Sequence, residues 1–401
     1  MRRATSNRFK RPDSSGRQER ATAFLVSAAL LLGGCASTPD GRDLVAAPVA
    51  FKTIEGAPPA QDGRARFRSI FCSMLRAEGI VSGYDASCDR WLWRLPDESR
   101  ESRGTPGFAL SPEELVIYLV TGAFSECVGD EARPYSVGAA QLRGAGARVE
   151  TIVVSGRSGT GANARQIADV IGRAEVAEGQ TLIFIGYSKG SLDVLRFLVD
   201  FPALAAGVDA VVSVAGPIFG TPLADTAAPA YGALLEDLPY EKCPPGDGEV
   251  IRSLTPAGTM QWLTANPLPA HVRYYSLAAF TTRDHVARAL VPSWQLLRRT
   301  DARNDGQVLA VDAVIPGATL LGYANADHWG IAQRIESVHK VFAARPDPAL
   351  FPLTQLFGSI VQFVASDVRS AHGAGLPAVP GRSERLAGPS QDPDEPWHQD
   401  D

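Results

Sequence analysis

One stretch limits the folds open to this chain more than any other: Thr181-Leu-Ile-Phe-Ile-Gly-Tyr-Ser-Lys-Gly-Ser191. Thr181 to Ile185 is a run of β-formers, as in a strand buried on both faces. Gly186-Tyr-Ser188-Lys-Gly190 fits G-x-S-x-G, and Val194, Leu195, Leu198 and Val199 follow at helical spacing up to Asp200. Strand, sharp turn and helix are the context in which this motif lifts a serine hydroxyl off a strand end, above the positive end of the next helix. Side chains at 186 and 190 would collide with the neighbouring strand and helix, which accounts for both glycines. A plain Gly-rich β-to-α turn has the same residues, so the partners of Ser188 decide between the readings. The side chain of Lys189 is expected as an exposed charge at the helix start.

The surrounding sequence repeats strand and helix. Leu115 to Val120, Val149 to Val154, Val208 to Val214, Val272 to Ala279 and Ala318 to Tyr323 read as strands. Pro134 to Gly144, Asn163 to Ala177 and Ile331 to Phe342 read as helices. Repeated β-α-β units imply an α/β fold, a mostly parallel sheet with helices on both faces. Such sheets place ligands outside the carboxyl ends of their strands. Residues 223–270 and 281–300 interrupt the alternation and leave from strand carboxyl ends, as cap or lid insertions would.

A serine hydroxyl needs a base to take its proton and an acid to orient that base. His328, in Gly322-Tyr-Ala-Asn-Ala-Asp-His-Trp329, follows the last strand and so lies at the same sheet edge as Ser188. Its rival is His285, which follows Asp284 in the second insertion. Asp305, in Arg303-Asn-Asp-Gly306, is the favoured acid, with Asp284 and Asp301 as alternatives. An oxyanion hole needs two aimed N–H groups. Lys189, the residue after the nucleophile, supplies one. The loop Thr121-Gly-Ala-Phe124 after the first strand of the domain supplies the other, through Ala123.

Ile185-Gly-Tyr-Ser-Lys-Gly190, with Thr-Gly-Ala-Phe upstream and Asp-His-Trp downstream, resembles the α/β-hydrolase superfamily, and Ser188, Asp305, His328 is its chain order. Arg273-Tyr-Tyr-Ser276, an insertion, Asn304-Asp-Gly306 and then the histidine resemble the bacterial lipases in particular. The resemblance covers about residues 110–345. It implies that Asp305 is the triad acid and that the activity is cleavage of carboxylic esters, while the capping segments suggest an apolar acyl group in the substrate. The usual His-Gly of the oxyanion loop is Thr121-Gly122 here. The lipase calcium site does not transfer residue by residue, so no metal and no cofactor is expected. Transfer of an acyl group to an envelope alcohol, or binding without catalysis, are the other uses open to such a chain.

The first 34 residues hold seven basic residues against two acids, so the chain beyond them carries −10. An acidic body without a basic face argues against nucleic acid as a partner. The basic start, the apolar Ala21 to Leu32 and then Leu32-Gly-Gly-Cys35-Ala-Ser resemble a lipoprotein signal with Cys35 as the lipidated residue. The apolar run is too short to span a bilayer. The expectation is a bacterial envelope protein anchored by lipid, with Ala36 resembling the outer-membrane pattern; a periplasmic or secreted form is the alternative. Cys72, Cys88, Cys127 and Cys243 permit two disulfides in an exported protein, with Cys72–Cys88 the local choice and Cys127–Cys243 the remainder.

The expected layout is therefore a signal over 1–34, a tether over 35–66 and an N-terminal cover over 67–109. The hydrolase domain follows over 110–345, then a helical extension over 346–370 and a disordered tail over 371–401.

Overall fold

Among the described residues, eight strands form one sheet: β1 (Gln61–Asp62), β2 (Leu92–Trp93), β3 (Leu115–Val120), β4 (Arg148–Ile152), β5 (Thr181–Tyr187), β6 (Ala210–Val214), β7 (Arg273–Ala279) and β8 (Thr319–Ala324). Their order is β1-β8-β7-β6-β5-β3-β4, every neighbouring pair parallel, with β2 added antiparallel to β8. The computed structural model describes residues 41–81, 88–99, 111–128, 133–226, 244–334 and 351–373.

The strand sequences explain their place. In β3, Leu115, Ile117 and Leu119 pack into one core, while Val116, Tyr118 and Val120 pack into another on the opposite face. A period-two chain that is apolar at every position can sit only in a sheet covered on both sides. β5 behaves alike: Ile183, Ile185 and Tyr187 face the first core, Leu182 and Phe184 the second.

Seven helices of seven residues or more supply the cover among the described residues: α1 (Arg64–Ala77), α2 (Ser136–Gly144), α3 (Thr160–Ile171), α4 (Lys189–Asp200), α5 (Pro256–Ala265), α6 (Val291–Leu297) and α7 (Leu353–Gly373). On one face α1 presents Phe67, Ile70, Phe71 and Leu75, and α7 presents Leu356, Phe357, Ile360, Val361 and Val364, both at helical spacing. On the other face α3 buries Ala164, Ile167, Ala168 and Ile171, and α4 buries Val194, Leu195, Phe197 and Leu198.

Several expectations change in detail. The chain from 41 to 66 is packed on the domain where a tether was expected. Leu44 and Val49 join a core cluster with Phe280 and Tyr323, Lys52 pairs with Asp312 at 2.6 Å, and Gln61–Asp62 extend the sheet beside Thr319–Leu320. Its apolar residues are too widely spaced to read as an element, so only tertiary contact reveals it. The first insertion also contributes to the body: Leu263 of α5 is buried in the β3–β5 core. The helix expected over Ile331 to Phe342 opens as turn and bend over 331–334, and its remainder lies outside the described residues. A disulfide joins Cys72 of α1 to Cys88. The other pairing, Cys127 with Cys243, reaches outside the described residues, as do Cys35, residues 227–243 and most of the expected tail. No helix of the described residues is long and apolar enough to cross a membrane.

Candidate active site

The turn between β5 and α4 holds Ser188 at φ 55° and ψ −131°, a strained conformation for a residue with a Cβ. The surroundings enforce it. A Cβ at Gly186 would lie 2.6 Å from Cα of Ser191, and one at Gly190 would lie 2.5 Å from the carbonyl oxygen of Thr121. The Ser188 N–H donates to Val214 O at 2.9 Å, and the Ser191 hydroxyl donates to Gly186 O at 2.8 Å. Ser188 is thereby fixed to β6, and its turn packs against the chain at the end of β3.

His328 reaches this serine from the end of β8. Its Nε2 lies 2.8 Å from Ser188 Oγ, and its Nδ1 lies 2.7 Å from Asp305 Oδ2. His328 is 5% exposed and Asp305 1%, so little water competes for these bonds. An Nδ1–H donating to the carboxylate leaves Nε2 as the acceptor for the serine O–H. Asp305 stands in a tight turn closed by an Asn304–Leu309 bridge, with Gly306 at φ 96°. Its Oδ1 accepts the N–H groups of Gln307 at 2.8 Å and Val308 at 2.7 Å. The Asp305 carbonyl accepts the His328 N–H at 2.8 Å, which joins the two loops directly.

The loop after β3 comes against the serine from the other side. A Cβ at Gly122 would lie 2.8 Å from Ser188 Cβ, so the backbone there passes at contact distance. Ala123 follows in this loop, and Lys189 opens α4 on the serine's other flank. The loop is pinned outside the site as well: Glu126 accepts the Gly156 N–H at 2.6 Å, and Gly156 O accepts the Phe124 N–H at 3.3 Å.

The rival residues lie elsewhere. Asp284 and His285 are exposed in a short turn, where His285 bonds Thr282. Asp301 pairs with Arg303. His271 bonds Ala205 O and precedes β7, at the opposite strand end from Ser188.

The sequence reading missed the partners of three neighbours of the site. Lys189 is 1% exposed, contrary to expectation: its ammonium pairs with Asp193 at 2.6 Å, and Asn163 donates to the other oxygen of that carboxylate at 2.9 Å. Burial lifts the Asp193 carboxyl to about 6, against the opposing pull of Lys189 and Asn163. The i,i+4 spacing of Lys189 and Asp193 was the available signal. Tyr187 donates its hydroxyl to His328 O at 2.6 Å, with its ring 5.4 Å from the imidazole. Burial, with Asp305 and Asp327 nearby, pushes that phenol well up, so it stays a donor. Asp327 is buried beside His328, and its oxygens accept two N–H groups, from Ala287 and Gly330, each at 2.7 Å. Among the described residues no group of His, Cys, Asp and Glu could hold a metal ion.

A nucleophile elbow inside a parallel sheet, with an acid and a histidine from later strand ends, defines an α/β-hydrolase. The crystal structure of the metagenomic carboxyl esterase MGS0156 is 35% identical to this chain, with a TM-score of 0.68, over 80% of this chain and 97% of that one. The Bacillus licheniformis lipase BlEst2 in mature form is similar at 22% identity and TM-score 0.46, over 56% and 89%. EstA from Clostridium botulinum is similar at 13% and 0.44, over 74% and 97%. No protein-family model and no curated protein matches the chain. Through the first of these likenesses the chain belongs to the carboxyl esterases of the α/β-hydrolase superfamily.

Proposed function

We propose that this protein hydrolyses carboxylic esters through Ser188, His328 and Asp305. The unbroken hydrogen-bonded line from Ser188 Oγ through His328 to Asp305, at 2.8 and 2.7 Å, carries the reading. Its likeness to a carboxyl esterase supports an ester as substrate.

In this reading His328 Nε2 takes the serine proton as Oγ attacks the carbonyl carbon. The N–H groups of Ala123 and Lys189 hold the resulting oxyanion, a contribution of ~10²–10³ in rate per donor. His328 returns the proton to the leaving alcohol, and Asp305 stabilises the imidazolium between the two steps. Water, deprotonated by the same nitrogen, then releases the acid from Ser188. Beside His328, Trp329 packs on the buried apolar cluster of Val286, Leu290 and Trp294.

Labelling with a fluorophosphonate tests the nucleophile. Wild type should label and Ser188→Ala should not; an unlabelled, folded wild type would overturn the assignment. We further propose that Cys35 is lipidated and holds the enzyme at the envelope of a bacterial cell, supported by the basic and apolar run before it. Metabolic labelling with palmitate should mark wild type and not Cys35→Ala; equal labelling of the two would remove the anchor.

A further inference from the structure

Asp327 stands next to the histidine in sequence, yet its carboxylate turns away from the serine. It is 1% exposed. Oδ1 accepts the N–H of Gly330, two residues beyond His328, and Oδ2 accepts the N–H of Ala287, 40 residues earlier. The first bond closes the turn that presents His328. The second reaches the excursion between β7 and the Asp305 turn. From that excursion Val286, Ala287, Leu290 and Trp294 form an apolar cluster against which Trp329 packs. One carboxylate therefore ties the 286–294 segment to the turn that carries His328.

We infer that Asp327 is a positioning residue that clamps the 286–294 segment to the His328 turn, and so sets the histidine's approach to Ser188. The chemistry of the clamp asks for a carboxylate. Both donors are backbone N–H groups, so both side-chain atoms must accept, which an amide cannot do and a protonated acid does poorly. Keeping a charge there works against its surroundings: burial lifts the carboxyl to about 6, opposed by the two N–H bonds and His328 and reinforced by Asp305. A turn needing only a cap would be served by one oxygen. The second oxygen is committed to a distant segment.

The inference rests on the ester-hydrolase reading, and its test separates the two. Ala287 has φ −53° and ψ 140°, and Val286 before it has φ −91° and ψ 129°; both conformations suit proline at 287. Ala287→Pro removes the distant donor, and Asp327→Ala removes the acceptor. Each variant and the double variant are compared with wild type for kcat, KM and melting temperature on an ester of medium chain length. A misplacement of about 1 Å at a base lowers turnover ~10²-fold, so each single variant should lose ~10–100-fold in kcat, with KM changed less than about threefold. The double variant should be no slower than Asp327→Ala, because the same link is cut twice. Losses that multiply in the double variant would overturn the clamp. So would kcat unchanged in Ala287→Pro while wild type turns over normally, which would leave Asp327 a local cap. Because the proline ring at 287 also presses on the Asp327 carboxylate, Asp327→Asn, which can accept from only one of the two N–H groups, decides by its kcat if Asp327→Ala does not fold. A wild type that turns over no ester would instead strike the hydrolase reading itself.

Discussion

Ser188 and His328 stand 2.8 Å apart, yet the two halves of the site are held by different means. The serine half is local. Gly186, Gly190 and Ser191 of one continuous strand-turn-helix, with Val214 on the adjoining strand, fix the elbow. The base half is assembled from distant pieces: the Asp305 turn, Tyr187 of β5 bonding His328 O, and Ala287 bonding Asp327. A nucleophile that must be strained needs a rigid seat, which short-range contacts provide. A base that must move a proton between two oxygens needs placement, which loops supply only when tied together. The difference teaches where each half should break. The serine half should fail by unfolding or collision, the base half by losing rate while staying folded.

The largest effect belongs to the base half. Asp305→Asn keeps the shape of the turn but presents an amide to His328 and favours the wrong tautomer. Turnover should fall ~10⁴-fold with the protein still folded; a loss below tenfold would remove Asp305 from the triad. Under the serine half, Lys189→Met leaves the Asp193 carboxylate buried without its cation. Denaturant unfolding should show a loss of about 3–5 kcal/mol, largely recovered when Asp193→Asn is added. No recovery would mean that the pair is not the reason. Gly122→Ala puts a methyl 2.8 Å from Ser188 Cβ and displaces the oxyanion loop. We expect kcat down ~10²–10³-fold with little change in unfolding; wild-type kcat would place the oxyanion donors elsewhere.

The smallest effect concerns Asp327. Its carboxyl ionises near 3.8 when unfolded and at about 6 when folded. The unfolded chain therefore releases this proton first. The stability that this group contributes is full below 3.8 and is lost as pH rises through 6. Relative to Asp327→Asn, wild type should lose roughly 2–3 kcal/mol between pH 3 and pH 7. A difference that does not vary with pH would mean that Asp327 ionises normally.

The same contrast sets what could be read from the sequence. The elbow was legible because its signal is contiguous: apolar strand, G-x-S-x-G and amphipathic helix within twenty residues. The parallel sheet was legible for the same reason, since β3, β5 and β6 are apolar at nearly every position. Asp305 and His328 could be singled out through chain order and turn chemistry, and the structure brings both to Ser188. Nothing local in the sequence points from Asp327 to Ala287. Lys189 was read as a solvated charge because a lysine at a helix start normally is one; its burial depends on Asn163 and Asp193 meeting it. The chain from 41 to 66 looked like a tether since its few apolar residues have no period, and only packing in one cluster with Phe280 and Tyr323 gives Leu44 and Val49 their place.

The most direct test is to mix the enzyme with a slowly deacylating ester, quench in acid, and weigh the peptide that carries Ser188. The account predicts one acyl group on Ser188, formed in a burst before steady turnover, and absent from Ser188→Ala. Turnover with no acyl group on Ser188, or unchanged in the Ser188→Ala variant, would contradict it.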